Sequence, residues 1–102
     1  MNAKQELLEV LKGASIKCAN IYFPEKYDYK GEEDIVLKVN HSPADLEEFL
    51  NQLDREYDNG YGGQELYGTI WIDDIQWLSR GEYDGSEWWD WNVIPDIPNN
   101  LK

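Results

Sequence analysis

Residues 66–94 read Leu-Tyr-Gly-Thr-Ile-Trp-Ile-Asp-Asp-Ile-Gln-Trp-Leu-Ser-Arg-Gly-Glu-Tyr-Asp-Gly-Ser-Glu-Trp-Trp-Asp-Trp-Asn-Val-Ile. Three runs rich in β-branched and aromatic residues stand here, at about 66–72, 76–83 and 87–94, and they predict a three-stranded antiparallel meander. Asp73-Asp74 and Asp84-Gly85 fall between them as turns, and Asp-Gly is a favoured two-residue hairpin turn. With two-residue loops at both places, Tyr83 pairs with Ser86, Gly81 with Trp88, Ser79 with Asp90 and Trp77 with Asn92. In the other hairpin Ile70 faces Trp77 and Ile72 faces Ile75.

That register sorts the side chains. One face carries Leu66, Ile70, Ile72, Ile75, Trp77 and Trp88 with Gly68, Ser79 and Gly81 between them, and it is expected to pack on helices, Trp88 lying over Gly81. The other collects Glu65, Tyr67, Trp71, Leu78, Arg80, Glu82, Glu87, Trp89 and Trp91. Large aromatics set among acids have the composition of a binding surface. Glu82 and Glu87 oppose each other, with Arg80 near enough to compensate one of them. Which face is exposed stays open, because a one-residue shift in either turn inverts both.

Outward from the meander, Ser42 is an N-cap, Pro43 sits at N1 and Asp45 at N3. Leu46, Phe49, Leu50 and Leu53 follow on one face, so 42–55 reads as a helix. Leu7, Leu8, Val10 and Leu11 give a first helix within 1–13, with Gly13 as its stop. Between the helices, 14–40 reads as a β-hairpin with strands near 16–23 and 34–40 and a polar loop from Pro24 to Glu32. Residues 95–102 are an irregular Pro/Asn-rich tail. The expected fold is therefore α+β and a single domain: N-terminal helix, β-hairpin, second helix, then the meander with helices on one face.

Charge narrows the function. The 102 residues hold 21 acids against nine Lys and Arg, a net of −12. Residues 1–39 carry seven acids and six lysines, net −1; residues 40–102 carry fourteen acids against Arg55, Arg80 and Lys102, net −11. Such a surface repels nucleic acid and anionic lipid and attracts basic protein patches. The expectation is no direct nucleic-acid binding, no membrane association and a basic protein partner, with the oligomeric state left open. The start, Met1-Asn2-Ala3-Lys4, does not read as a signal peptide, no apolar run approaches the ~20 residues that span a bilayer, and a lone Cys18 fits a reducing compartment. A cytoplasmic location is the expectation.

Chemistry is sparse. One His41 and one Cys18 do not make a zinc site, and no phosphate-binding or nucleophile-elbow motif is present. Asp54, Glu56, Asp58 and Glu65 approach the 1, 3, 5, 12 spacing of a calcium loop. Asn59 stands where that loop has glycine, and a strand follows where it has a helix, so they form only a weak calcium candidate. Carboxylates beside tryptophans also suit glycoside hydrolysis, but no cleft is evident from the sequence. The reading is of a binding protein, not an enzyme, without a cofactor. Its candidate partner-binding residues are Asp54, Glu56, Asp58, Glu65, Glu82, Asp84, Glu87 and Asp90, with Trp89, Trp91, Trp71 and Tyr67 as aromatic anchors.

Asp58-Asn59-Gly60-Tyr61-Gly62-Gly63-Gln64-Glu65-Leu66-Tyr67-Gly68, followed by Arg80-Gly81-Glu82-Tyr83-Asp84-Gly85-Ser86-Glu87-Trp88-Trp89, resembles a family of small acidic phage and mobile-element proteins over roughly residues 45–98. The resemblance carries over no catalytic residues. It implies a host-cytoplasm setting and an anti-defence role of the anti-CRISPR kind, in which an acidic DNA mimic occupies the nucleic-acid channel of a defence nuclease. An immunity protein for a nuclease toxin has the same charge logic, and a self-associating phage structural protein would also use exposed tryptophans.

Overall fold

The computed structural model describes residues 1–23, 34–57, 64–83, 86–95 and 98–101. In these, two helices, α1 (Ala3–Leu11) and α2 (Pro43–Gln52), accompany five strands: β1 (Cys18–Tyr22), β2 (Ile35–Leu37), β3 (Tyr67–Trp71), β4 (Gln76–Tyr83) and β5 (Ser86–Val93). A short 3₁₀ turn, Asn99–Leu101, lies near the C-terminus. The fold is α+β. Its sheet is wholly antiparallel, in the order β2-β1-β3-β4-β5. The meander is thus only part of the sheet: β1 pairs with β3 from Cys18↔Trp71 to Tyr22↔Tyr67, so the hairpin and the meander are one surface. None of the described helices is long and apolar enough to cross a membrane.

Local chemistry explains both helices. The Ser42 side chain accepts from the Asp45 amide, and the Asp45 carboxylate accepts from the Ser42 amide, closing a capping box with Pro43 in the first turn. Hydrogen bonding to the Ser42 amide, and then to the Ser42 side chain, holds the Asp45 carboxyl below the usual range. In α1 the cap is Asn2, whose side chain accepts from the Gln5 amide. The chain leaves α1 through left-handed Lys12 (φ 50°), and Gly13 (φ 88°) follows.

The β4–β5 register is the expected one, with Tyr83↔Ser86, Gly81↔Trp88, Ser79↔Asp90 and Trp77↔Asn92. Asp84 and Gly85 themselves lie outside the described residues. The β3–β4 register differs by one residue: Ile70 pairs with Leu78 and Trp71 with Trp77. The cause is the turn. The Asp73 carboxylate accepts from the amides of Ile75 and Gln76, which makes Asp73-Asp74-Ile75 a three-residue loop closed by Ile72 N–H donating to the Gln76 carbonyl. The same two amides hold the Asp73 carboxyl below its ordinary value.

That single residue decides the faces. Leu78, Arg80, Glu87 and Trp89 turn inward with Ile70, while Trp77 and Trp88, expected inside, turn outward; Ile75 is exposed at the turn. Both helices cover the inner face. Leu7 and Leu11 of α1 and Phe49 of α2 join Ala19, Ile21, Ile35, Leu37, Leu53, Leu66, Ile70 and Leu78 in one core. Burying a side chain the size of Phe49 contributes about 1.5–3 kcal/mol.

Candidate functional site

Arg80 occupies the inner face of β4, and four groups converge on it. Its guanidinium donates to Glu6 from α1 (3.2 Å), to the Tyr57 hydroxyl (2.6 Å) and to Glu87 from β5 (2.9 and 3.3 Å). It lies over the Trp89 ring at 4.9 Å and the Tyr57 ring at 5.5 Å. Tyr57 in turn donates to Glu6. Glu87 accepts from the amides of Glu65 (2.7 Å) and Leu66 (3.0 Å), so its two oxygens also hold the chain entering β3. The compensation of Glu87 by Arg80 follows from the register, since residue 80 is the diagonal neighbour of 87. Burial and the hydrogen bond to Glu6 push the Tyr57 hydroxyl above the ordinary tyrosine value.

This network corrects two expected contact residues. Glu87 is 3 % exposed and Trp89 6 %, so neither presents its side chain to a partner. Trp91 is at the margin of the same face, 42 % exposed, its ring N–H donating to the Val10 carbonyl (3.2 Å). Asp90 is exposed on the opposite face and accepts from the Trp88 ring N–H (2.8 Å). Trp71 and Tyr67 share that face, Trp71 exposed and Tyr67 half-buried and stacked on Tyr22 at 5.3 Å. Trp88 covers Gly81 as expected, its indole 2.6–2.7 Å from where a Cβ would stand.

The remaining acids sit on segments that the network ties together. Asp54 and Glu56 flank the turn from α2 to Tyr57: Asp54 accepts from the Asn2 side chain (2.9 Å), and Glu56 pairs with the N-terminal ammonium (3.1 Å). Glu65 follows at the entry to β3, and Glu82 stands opposite Glu87. All four are exposed. Asp58 and Asp84 lie outside the described residues. Glu6 and Tyr57 were not legible as members: Glu6 reads as an ordinary acid in a first helical turn, and only the question of what a sheet-buried arginine must pair with leads to it.

As for metal ligation, no group of three or more His, Cys, Asp or Glu side chains is arranged to hold an ion among the described residues. His41 is bonded through Nδ1 to the Lys38 carbonyl (2.8 Å) and lines a groove of about 320 Å³ between the helices with Leu8, Leu46 and Leu50. Cys18 is on the outer face of β1.

The outer face is of another character. Trp71 and Trp77 are cross-strand neighbours above a shallow groove of about 270 Å³, completed by Thr69, Asp73, Asp74, Ile75, Gln76 and Ile94. Between the tryptophans and tyrosines stand small polar groups: Asn20, Thr69, Ser79 and Asn92, whose amide donates to Ser79 Oγ (3.0 Å). Among the described strand positions that point this way, Asp90 is the one charged residue.

Comparison with family models, with curated proteins and with solved structures finds no match to this chain.

Proposed function

We propose that this protein is an inhibitor that binds the basic nucleic-acid-binding surface of another protein, its carboxylates standing in for phosphates. The supporting observation is the Arg80 network. It ties together α1, the 54–57 segment, the entry to β3 and the β4–β5 hairpin, the segments that carry Asp54, Glu56, Glu65 and Glu82. Acids on a rigid frame compete better for a cationic channel than acids on a free chain, since less ordering is lost on binding. The resemblance to small acidic phage proteins supplies the setting, a defence nuclease such as a CRISPR effector in the host cytoplasm. Binding is proposed rather than catalysis because the Arg80 cluster is buried, and the two grooves described above are lined by other residues.

The test is capture of a partner from bacterial lysate, followed by competition with a DNA oligonucleotide. The captured protein should elute with rising salt and with the oligonucleotide. The combined variant Asp54→Asn, Glu56→Gln, Glu65→Gln, Glu82→Gln should bind at least tenfold more weakly with a flatter salt dependence, about 1.4 kcal/mol or more. Unchanged affinity in a folded variant, or a partner that holds DNA and this protein at once, defeats the reading.

A further inference from the structure

The outer groove at the β3–β4 turn repeats, on the surface, the set of groups that the core places around Arg80. Inside, the guanidinium lies over the Trp89 and Tyr57 rings and meets the Glu6 and Glu87 carboxylates. Outside, the groove of about 270 Å³ is lined by two indoles, Trp71 and Trp77, and two carboxylates, Asp73 and Asp74, with no arginine among its described lining residues. The geometry points to this groove as the seat of an arginine side chain supplied by the basic protein partner proposed above.

Each wall has a local cause. Trp71 and Trp77 are directly opposed on β3 and β4, so their side chains stand as neighbours on the outer face. Asp73 is fixed at the turn by the Ile75 and Gln76 amides (2.8 and 2.7 Å). The Ile94 amide donates to the Ile75 carbonyl (2.9 Å), which brings the two isoleucines of the groove together. Trp71, Asp73 and Asp74 are all exposed and open to a partner. A guanidinium is flat, weakly hydrated and always charged, so it stacks on an indole while its fork pairs with a carboxylate.

Charge selects this occupant over others. The chain carries −12 and acids line the groove itself, so nucleic acid and a second copy are both repelled. A neutral side chain would fill the space but leave the carboxylates unanswered. Lys17 bonds Asp74 at the rim (2.5 Å), with 46 and 88 % of the two side chains exposed. An exposed pair of this kind contributes little, so an arginine that also gains the indole faces can displace it. The groove is smaller than the ~300–1,000 Å³ of a drug-sized ligand site, which suits a single side chain. The source of the arginine rests on the reading above, while the groove lies at the end of β4 away from Glu82.

N-acetyl-arginine amide, titrated against the full chain and followed by NMR, tests it. At millimolar concentration it should shift the indole signals of Trp71 and Trp77. N-acetyl-citrulline amide, its neutral isostere, should bind at least tenfold more weakly. Trp71→Leu, which keeps the charge and removes a ring, and Asp74→Asn should each weaken binding at least threefold with unfolding still cooperative. Lys17→Gln should strengthen it, because Asp74 loses its competitor. Equal binding of the citrulline compound, which marks a site for neutral ligands, overturns the inference. So does binding that Trp71→Leu leaves unchanged, which marks diffuse attraction to an acidic surface, and so does the absence of any shift at those two indoles. The same variant separates the two proposals. Trp71→Leu should hold a partner captured from lysate at least fivefold more weakly. A partner held equally well by Trp71→Leu but released by the combined acid variant removes this inference and leaves the reading above. Binding of the arginine compound with no partner captured supports the groove and removes that reading.

Discussion

Arg80 has only 3 % of its side chain exposed, and Glu87 has none. Removing a cation from such a position leaves two carboxyl groups buried without it, and breaking a buried pair this way costs about 3–5 kcal/mol. Arg80→Gln should therefore lower the urea midpoint sharply. Arg80→Lys should recover only part of the loss, because one ammonium cannot reproduce a fork that meets Glu6, Tyr57 and Glu87 at once. Replacing the whole cluster by apolar residues, often harmless for an ion pair, should not be harmless here. Glu87 also satisfies the Glu65 and Leu66 amides, which an apolar side chain would orphan.

Tyr57 adds a pH dependence. Its hydroxyl titrates above the usual value of 10.0 in the fold, so the neutral form is favoured there. The stability it contributes is complete below about pH 10 and is lost as pH rises through the folded value. Urea midpoints should fall above that pH, and Tyr57→Phe should start lower but lose less on the alkaline side.

At the scale of the element, the loop Asp73-Asp74-Ile75 governs the sheet, and two glycines show how tightly the strands then fit. Gly68 in β3 has φ +153°, and a Cβ there would stand 2.5 Å from the Asn20 carbonyl oxygen and 2.9 Å from Ile21 Cα, both backbone. Neither can yield without parting β1 from β3. Gly68→Ala should cost about 1–3 kcal/mol in an unfolding titration. At Gly81 the atoms in the way are the Trp88 indole and the Asp90 carboxylate, which can rotate aside. Gly81→Ala should cost less and instead shift tryptophan fluorescence as Trp88 leaves the strand. A larger loss at Gly81 than at Gly68 would contradict this account.

The elements themselves were legible because their signals are local. Ser42, Pro43 and Asp45 specify the start of α2 within four residues, and Asp84-Gly85 specifies a hairpin whose β4–β5 register came out as expected. The β3–β4 register was not legible, because Asp73-Asp74 allows a two-residue or a three-residue loop and only the amides it captures decide between them. Since side chains alternate along a strand, that one residue moved Trp89 and Glu87 into the core and Trp77 and Trp88 out of it.

Over the whole molecule, the excess of acid in residues 40–102 does not spread evenly around the fold. On the inner face Arg80 absorbs Glu87 together with Glu6 of α1, most of the other described acids are exposed, and the described strand positions of the outer face hold Asp90, with Asp73 and Asp74 lining the groove at the β3–β4 turn. The exposed tryptophans Trp71 and Trp88 stand on the outer sheet face, and Asp54, Glu56, Glu65 and Glu82 are exposed on the segments tied together by Arg80. The candidate site was half legible for the same reason. Asp54, Glu56, Glu65 and Glu82 could be named from charge alone, but Glu6 lies 74 residues from Arg80, and no local pattern links them.

By itself, the sequence determined the α+β class, the strands of the meander, both helices and the acidity of residues 40–102, since propensity, capping and charge act over a few residues. Only the tertiary structure decided that the hairpin and the meander form one sheet, which face of it meets the helices, and which acids are spent inside on Arg80. Those outcomes depend on pairings between distant segments, and on a turn whose length is set by three hydrogen bonds. The stretch from Leu66 to Ile94 therefore gave its strands plainly and kept its faces hidden.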